Sequence, residues 1–285
     1  MNKYLVASGC SYTGGGGMNN LQLFSLEFPD TSINKFNQIY GEINWSDENF
    51  KKFLKPFLWP DKLGKLLNYT QTYNLASGGK GIHTTTNSLY HFIYNWQKDG
   101  KDVSELEIWF QIPNQNRLEI YVNDEDKHKA IITEMSDSNP IKKNFITNFF
   151  DEDYNLLTSI HETYKLKKYC DALGIDIYFI PWDDQTYNLD GNEYIKLQQR
   201  ISGYLNDNNK SHFERPFTNI NSVSYYNLDM MLNEMNPIFI ENTSLNNYLE
   251  RTFDGFYFQS KYQNVTADRH MTCEGHTEFA KLLKK

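Results

Sequence analysis

Short apolar runs that each stop at a small or polar residue, with helix-period segments between them, restrict the fold of this chain more than any other feature. Tyr4 to Ala7 is a β-prone run ending at Ser8-Gly9, as a buried parallel strand does at its carboxyl end. Thr72 to Ala76 is a second, ending in Ser77-Gly78-Gly79. Leu106 to Ile112 is a third, broken by Pro113, and Ile175 to Ile180 is a fourth. Between them, Trp59-Pro60 opens a helix on which Leu63, Leu66 and Leu67 share a face. From His83 to Trp96, Leu89, Phe92, Ile93 and Trp96 recur at helical spacing before Gly100, and Tyr154 to Leu173 reads as a long helix closed by Gly174. Such alternation predicts an α/β fold with a central parallel sheet and helices on both faces, a three-layer αβα sandwich. Ligands of such sheets bind outside the carboxyl ends of the strands. That rule gathers Gly9–Ser11, Ser77–Gly79 and Pro113–Asn116 onto one edge.

The remaining segments are less periodic. Gly14 to Gly17 reads as an open loop, and 18–58 as an irregular insertion with a short helix near Asp47–Leu54. The polar stretch 123–143 reads as an excursion, and the turn-rich segment 183–250 as a lid-like or peripheral insertion. At 285 residues without an internal repeat, the chain is expected to form one elaborated domain, 1–285. A net charge of −8 argues against nucleic acid as a partner, because phosphate binding needs a concentrated positive surface. No stretch reaches the roughly 18 apolar residues of a membrane span, and the first apolar run is too short for a signal peptide. Cys10, Cys170 and Cys273, odd in number and widely spaced, suit reduced thiols without a structural disulfide. A cytoplasmic location is the expectation.

Two motifs carry chemistry. Gly9-Cys10-Ser11-Tyr12-Thr13 puts a hydroxyl just after the first strand, where a sharp turn exposes it beside backbone N–H groups. That arrangement suits a nucleophile at an oxyanion hole; the plainer alternative is a Gly-Ser turn that ends a strand. Near the other end, Asp268-Arg269-His270 precedes Cys273-Glu274-Gly275-His276 and a short amphipathic helix with Phe279, Leu282 and Leu283. A carboxylate near an imidazole, with a distant serine, is the content of a triad. Cys10 is a rival nucleophile, but its side chain should point away from that of Ser11, as a buried small hydrophobe does. His270, Cys273 and His276 recur at spacings of three, yet no Cys-x2-Cys pair completes a zinc site. The glycine run lacks the Lys-Ser/Thr of a phosphate loop. His83, His91, His128, His161 and His212 are scattered, and His276, assigned to the last helix, is the backup base.

In these blocks the chain resembles the SGNH or GDSL hydrolases. That family has a Gly-x-Ser after its first strand, matched by Gly9-Cys10-Ser11, and a glycine N–H after its second, matched within Asn74-Leu75-Ala76-Ser77-Gly78-Gly79. It has an Asn after its third strand, matched by Pro113-Asn114-Gln115-Asn116, and an Asp followed by the base His before a Gly-His, matched by Asp268, His270 and Gly275-His276. The spacing of Asp268 to His270 is two rather than the family's usual three, and Met271 stands where Pro is common. The resemblance implies a flavodoxin-like sandwich and a serine esterase that needs no metal or organic cofactor. Ser11 would be the nucleophile, His270 the base and Asp268 its orienting acid. The oxyanion hole would comprise the N–H of Ser11, the N–H of Gly79 (alternate Gly78) and the amide of Asn114 (alternate Asn116). The implied substrate is a small-molecule or glycan ester, with acetyl-sized groups on carbohydrate preferred because the loops are polar and aromatic. The shortened Asp-to-His spacing motivates a second possibility, a non-catalytic carbohydrate-binding or assembly module on the same fold.

Overall fold

The computed structural model describes residues 3–16, 27–28, 48–114, 117–124, 127–133, 152–181, 228–241, 243–252, 256–257, 261 and 270–284. Strand β1 (Tyr4–Ser8) leads into a one-turn helix α1 (Ser11–Gly14). Helices α2 (Glu48–Leu54) and α3 (Trp59–Leu66) precede β2 (Gln71–Asn74), α4 (Ile82–Lys98) and β3 (Leu106–Gln111). A hairpin of β4 (Leu118–Asp124) and β5 (Lys127–Thr133) comes before α5 (Glu152–Leu173) and β6 (Asp176–Ile180). The described remainder is α6 (Leu228–Met235), β7 (Phe239–Ile240), β8 (Thr243–Ser244), α7 (Leu245–Thr252) and α8 (Cys273–Leu283).

The central sheet has the order β2-β1-β3-β6, and every neighbouring pair is parallel. Its register sets Ala7 beside both Asn74 and Trp109, and Gln111 beside Ile180, so the strands finish nearly level. The loops after β1, β2 and β3 therefore leave from one edge.

Because side chains alternate along a strand, each strand feeds two cores. Leu5 and Ala7 join Trp109 and Ile180 in a cluster with Trp59 and Leu63 of α3, Leu245 and Leu249 of α7 and Phe279 of α8. Val6, Ile108, Phe110 and Phe179 face the other way, onto Leu89 and Ile93 of α4, Ile160 of α5 and Met231 of α6. These two clusters are the sandwich's inner faces, and they make the fold the αβα arrangement that the sequence predicted. Burial on both sides explains why β1 and β3 read as near-continuous apolar runs. Trp59, Phe110, Phe179 and Phe279 are fully buried, and burying a side chain of this class contributes about 1.5–3 kcal/mol.

Several boundaries differ from expectation for identifiable reasons. The second strand stops at Asn74 rather than Ala76, because the Asn74 side chain turns the chain: the Ala76 N–H donates to Asn74 Oδ1 at 3.1 Å. Gly14 is not in an open loop but is the last residue of α1, which Gly15 ends in the left-handed region at φ 77°. The polar stretch expected as an excursion from 123 begins instead as the hairpin at Leu118. Of the segment 183–250, residues 183–227 lie outside the described residues. From Leu228 onward it supplies core: Met231 and Met235 are buried against the sheet, while Asn233 and Glu234 on the outer face of α6 account for its polar appearance. Among the described residues no helix is long and apolar enough to cross a membrane.

Candidate active site

Ser11 follows the strand end by three residues and is the first residue of α1. The first turn of a helix has N–H groups without intrahelical acceptors, so the Ser11 N–H and Oγ leave the same turn. Gly9 makes that turn possible. A Cβ there would lie 2.6 Å from Thr13 Oγ1 and 2.9 Å from Gln111 Cβ, closer than a side chain tolerates. Thr13 Oγ1 in turn donates to Gln111 Oε1 in a fully buried contact, pinning α1 to the end of β3. Asn74 Nδ2 donates to the Thr13 carbonyl at 2.9 Å, pinning the same turn to the end of β2.

His270 reaches Ser11 from the far end of the chain, with Nε2 at 2.8 Å from Ser11 Oγ. Both side chains are partly exposed, so the pair is open to a substrate. The imidazole lies against Tyr12, with ring centroids 4.8 Å apart. The two residues after His270 fix its backbone. Met271 bridges Tyr257, the Thr272 N–H donates to the Phe256 carbonyl at 2.9 Å, and Thr272 Oγ1 caps α8 by accepting from the Gly275 N–H at 3.1 Å.

Gly16 forms a wall of the pair. A Cβ on it would fall 2.4 Å from His270 Nε2 and 2.7 Å from Ser11 Cβ, so only a bare backbone fits there. Nothing in the sequence marked Gly16 apart from its three glycine neighbours; the contact is made across the fold.

The expected oxyanion donors are placed unequally. Gly78 stands beside Ser11, where a Cβ would lie 3.8 Å from Ser11 Cβ. Gly79 has φ 75°, in the left-handed region, which explains a glycine there without a functional role. The structure thus brings the alternate, Gly78, against the serine. Asn114 follows the end of β3, where its carbonyl accepts from the Arg117 N–H at 3.2 Å. Asp268 and Asn116 lie outside the described residues.

The rival residues are accounted for by packing. Cys10 is fully buried in the α3/α7/α8 core, and burial raises its thiol pKa despite the nearby Arg117 charge. Cys273 also has a raised pKa, from burial and from the Glu27 carboxylate, which accepts its backbone N–H at 2.9 Å. His276 Nδ1 accepts the Trp59 N–H at 3.3 Å, serving a helix start whose N-cap residue, Leu58, offers no side-chain acceptor. Burial holds the His276 pKa down to about 3, so the ring is neutral and structural. Gly275 precedes it because the Phe256 carbonyl would lie only 2.2 Å from a Cβ. Among the described residues no three His, Cys, Asp or Glu side chains converge as a metal site would require. His91 pairs with Asn95 at 3.0 Å, and His83 Nδ1 lies 3.9 Å from Glu162.

No protein-family profile matches the chain, and no curated protein does. Among solved structures, the chain is similar to the phospholipase A1 from Streptomyces albidoflavus NA297, across 100% of this chain and 99% of that one, at 10% identity and a TM-score of 0.31. At that level the similarity transfers neither site nor substrate.

Proposed function

We propose that this protein is a serine esterase that removes small O-acyl groups, acetyl above all, from a carbohydrate or similar ester. The observation that carries the proposal is the 2.8 Å contact between Ser11 Oγ and His270 Nε2 at the carboxyl edge of a parallel sheet. His270 Nε2 takes the hydroxyl proton as Ser11 attacks the ester carbonyl, then returns it to the departing alcohol. Water, activated by the same nitrogen, releases the acid from the acyl-enzyme. Asp268 orients the imidazole and stabilises its charged form. The oxyanion is held by the Ser11 N–H, a glycine N–H from Gly78 or Gly79, and the side-chain amide of Asn114 or Asn116. Each such donor is typically worth about 3 kcal/mol of barrier.

The preference for a small acyl group rests on the polar and aromatic character of the loops. Gly16 and Gly78 stand beside the serine, and the Tyr12 ring lies against His270. Three free cysteines are consistent with a reducing compartment, and we place the protein in the cytoplasm.

A fluorophosphonate probe tests the proposal. Stoichiometric labelling of the wild type that vanishes in Ser11→Ala, together with hydrolysis of p-nitrophenyl acetate faster than of longer-chain esters, is the expected outcome. A folded protein that takes no label and hydrolyses no ester or acetylated glycan would refute it and favour a non-catalytic module.

A further inference from the structure

We infer that Arg117 and Glu119, at the root of the β4–β5 hairpin, are positioning residues that hold the Gly78-Gly79 loop against the Asn114 loop and so set the width of the oxyanion pocket. The inference rests on the esterase reading. Neither residue belongs to a block that pointed to catalysis.

Arg117 is bonded to both loops at once. Its backbone N–H donates to the Asn114 carbonyl at 3.2 Å, and its Nη1 donates to the Lys80 carbonyl at 3.1 Å. Glu119 acts one step further along. Its Oε1 accepts the Gly81 N–H at 2.9 Å and its Oε2 the Thr84 N–H at 3.0 Å. Gly81 is the N-cap of α4 and supplies no side-chain acceptor, so a carboxylate from the hairpin satisfies the helix's free N–H groups and complements its positive end. The approach is close enough to dictate sequence. A Cβ on Gly81 would meet Glu119 Cγ and Cδ at 2.8 Å and the Arg117 carbonyl at 3.0 Å.

A surface arginine and glutamate would ordinarily point to water. Here both turn inward onto main-chain atoms of a neighbouring loop, and the ribbon that carries them has two strands, an architecture with marginal stability of its own. The arrangement fixes loops rather than decorating a surface. The clamp thus ties the glycine loop to the asparagine loop. Donors to an oxyanion act only within a few tenths of an ångström of their working position, and a shift of about 1 Å costs on the order of 100-fold in rate.

The test compares Arg117→Met, Arg117→Lys and Glu119→Gln in the full chain. Readouts are kcat and KM for a p-nitrophenyl ester, the rate of Ser11 phosphonylation, amide hydrogen exchange across 78–84, and Tm. Arg117→Met and Glu119→Gln are expected to lower kcat and phosphonylation by about 10- to 100-fold with KM within about threefold, consistent with loss of a transition-state contact. Exchange at the Gly81 and Thr84 amides should rise, and Arg117→Lys should fall between. Faster exchange with kcat kept within about threefold of wild type overturns the positioning role, as does a loss of kcat that tracks Tm in all three variants. Wild type that takes no phosphonate refutes the esterase reading instead. In that case unchanged exchange in both Arg117→Met and Glu119→Gln still overturns the clamp.

Discussion

Ser11 and His270 touch, yet they are held by different kinds of structure. Ser11 leaves an interior strand buried on both faces, and its turn is bolted to the neighbouring strand ends through Thr13–Gln111 and Asn74–Thr13. Its position is a consequence of sheet register, and a slip of one residue would turn both cores inside out. His270 lies outside any element, just before α8. It is steered by the Met271–Tyr257 bridge, the Thr272 cap, the Tyr12 ring and the missing side chain at Gly16. Disturbing the serine's housing therefore disturbs the fold, whereas disturbing the histidine's housing can silence the site and leave the fold standing.

Gly16→Ala breaks the comparison most sharply. The new methyl would overlap the imidazole tip, which can swing, and Ser11 Cβ, which cannot. The ring is expected to leave the serine. Ester hydrolysis should fall by about 100-fold or more while Tm changes by only a few degrees, since little core is touched. Activity and thermal melts on the same preparation check it. Full activity would mean that the loop bearing Gly16 moves freely and that the histidine's seat is set elsewhere.

His276 lies six positions beyond His270 but belongs to the other regime. Its ring is wholly buried and accepts the Trp59 N–H. Because its folded pKa is pulled down to about 3 from an ordinary value near 6.5, the unfolded chain binds the extra proton between those values. Stability is therefore fully present above about pH 6.5 and drains away as pH falls toward about 3. His276→Leu should lower stability at pH 7 by roughly 1–3 kcal/mol, through the lost acceptor, and flatten the acid-side slope. Per-molecule activity should stay within about threefold of wild type. Urea titrations at pH 7 and pH 5 provide the check, and loss of activity in a stable variant would make His276 the base.

The same contrast governs how much of the molecule is legible in its sequence. The four strands of the sheet and the helices at Trp59, His83 and Tyr154 are legible because apolar period and glycine or proline stops are local signals. Ser11 is legible for the same reason, as the hydroxyl after a strand end. His270 can be named, but its seat cannot, since Phe256, Tyr257 and Tyr12 reach it only through the fold. Gly16 and the choice of Gly78 over Gly79 beside the serine are hidden likewise, because steric exclusion between distant segments leaves no periodicity. The hairpin starts ahead of the polar stretch at 123, so nothing local sets Arg117 and Glu119 apart from ordinary surface charge. Met231 and Met235 lie in a segment of broken periodicity that does not show that both side chains are buried.

Cys10→Ala makes the finest distinction, because it alters the serine's housing by a single buried atom next to Ser11. The thiol is fully buried among Leu5, Ala7 and Trp59, and its raised pKa keeps it protonated and unreactive. Replacing it removes about one methylene's worth of burial, so a loss of about 1 kcal/mol in a urea titration with unchanged m is expected. Activity should remain within about twofold of wild type, because the peptide N–H groups and the Ser11 hydroxyl keep their places. If hydrolysis instead disappeared in Cys10→Ala and survived in Ser11→Ala, the attacking atom would be sulfur. The 2.8 Å contact between oxygen and imidazole would then be a structural hydrogen bond at a strand end.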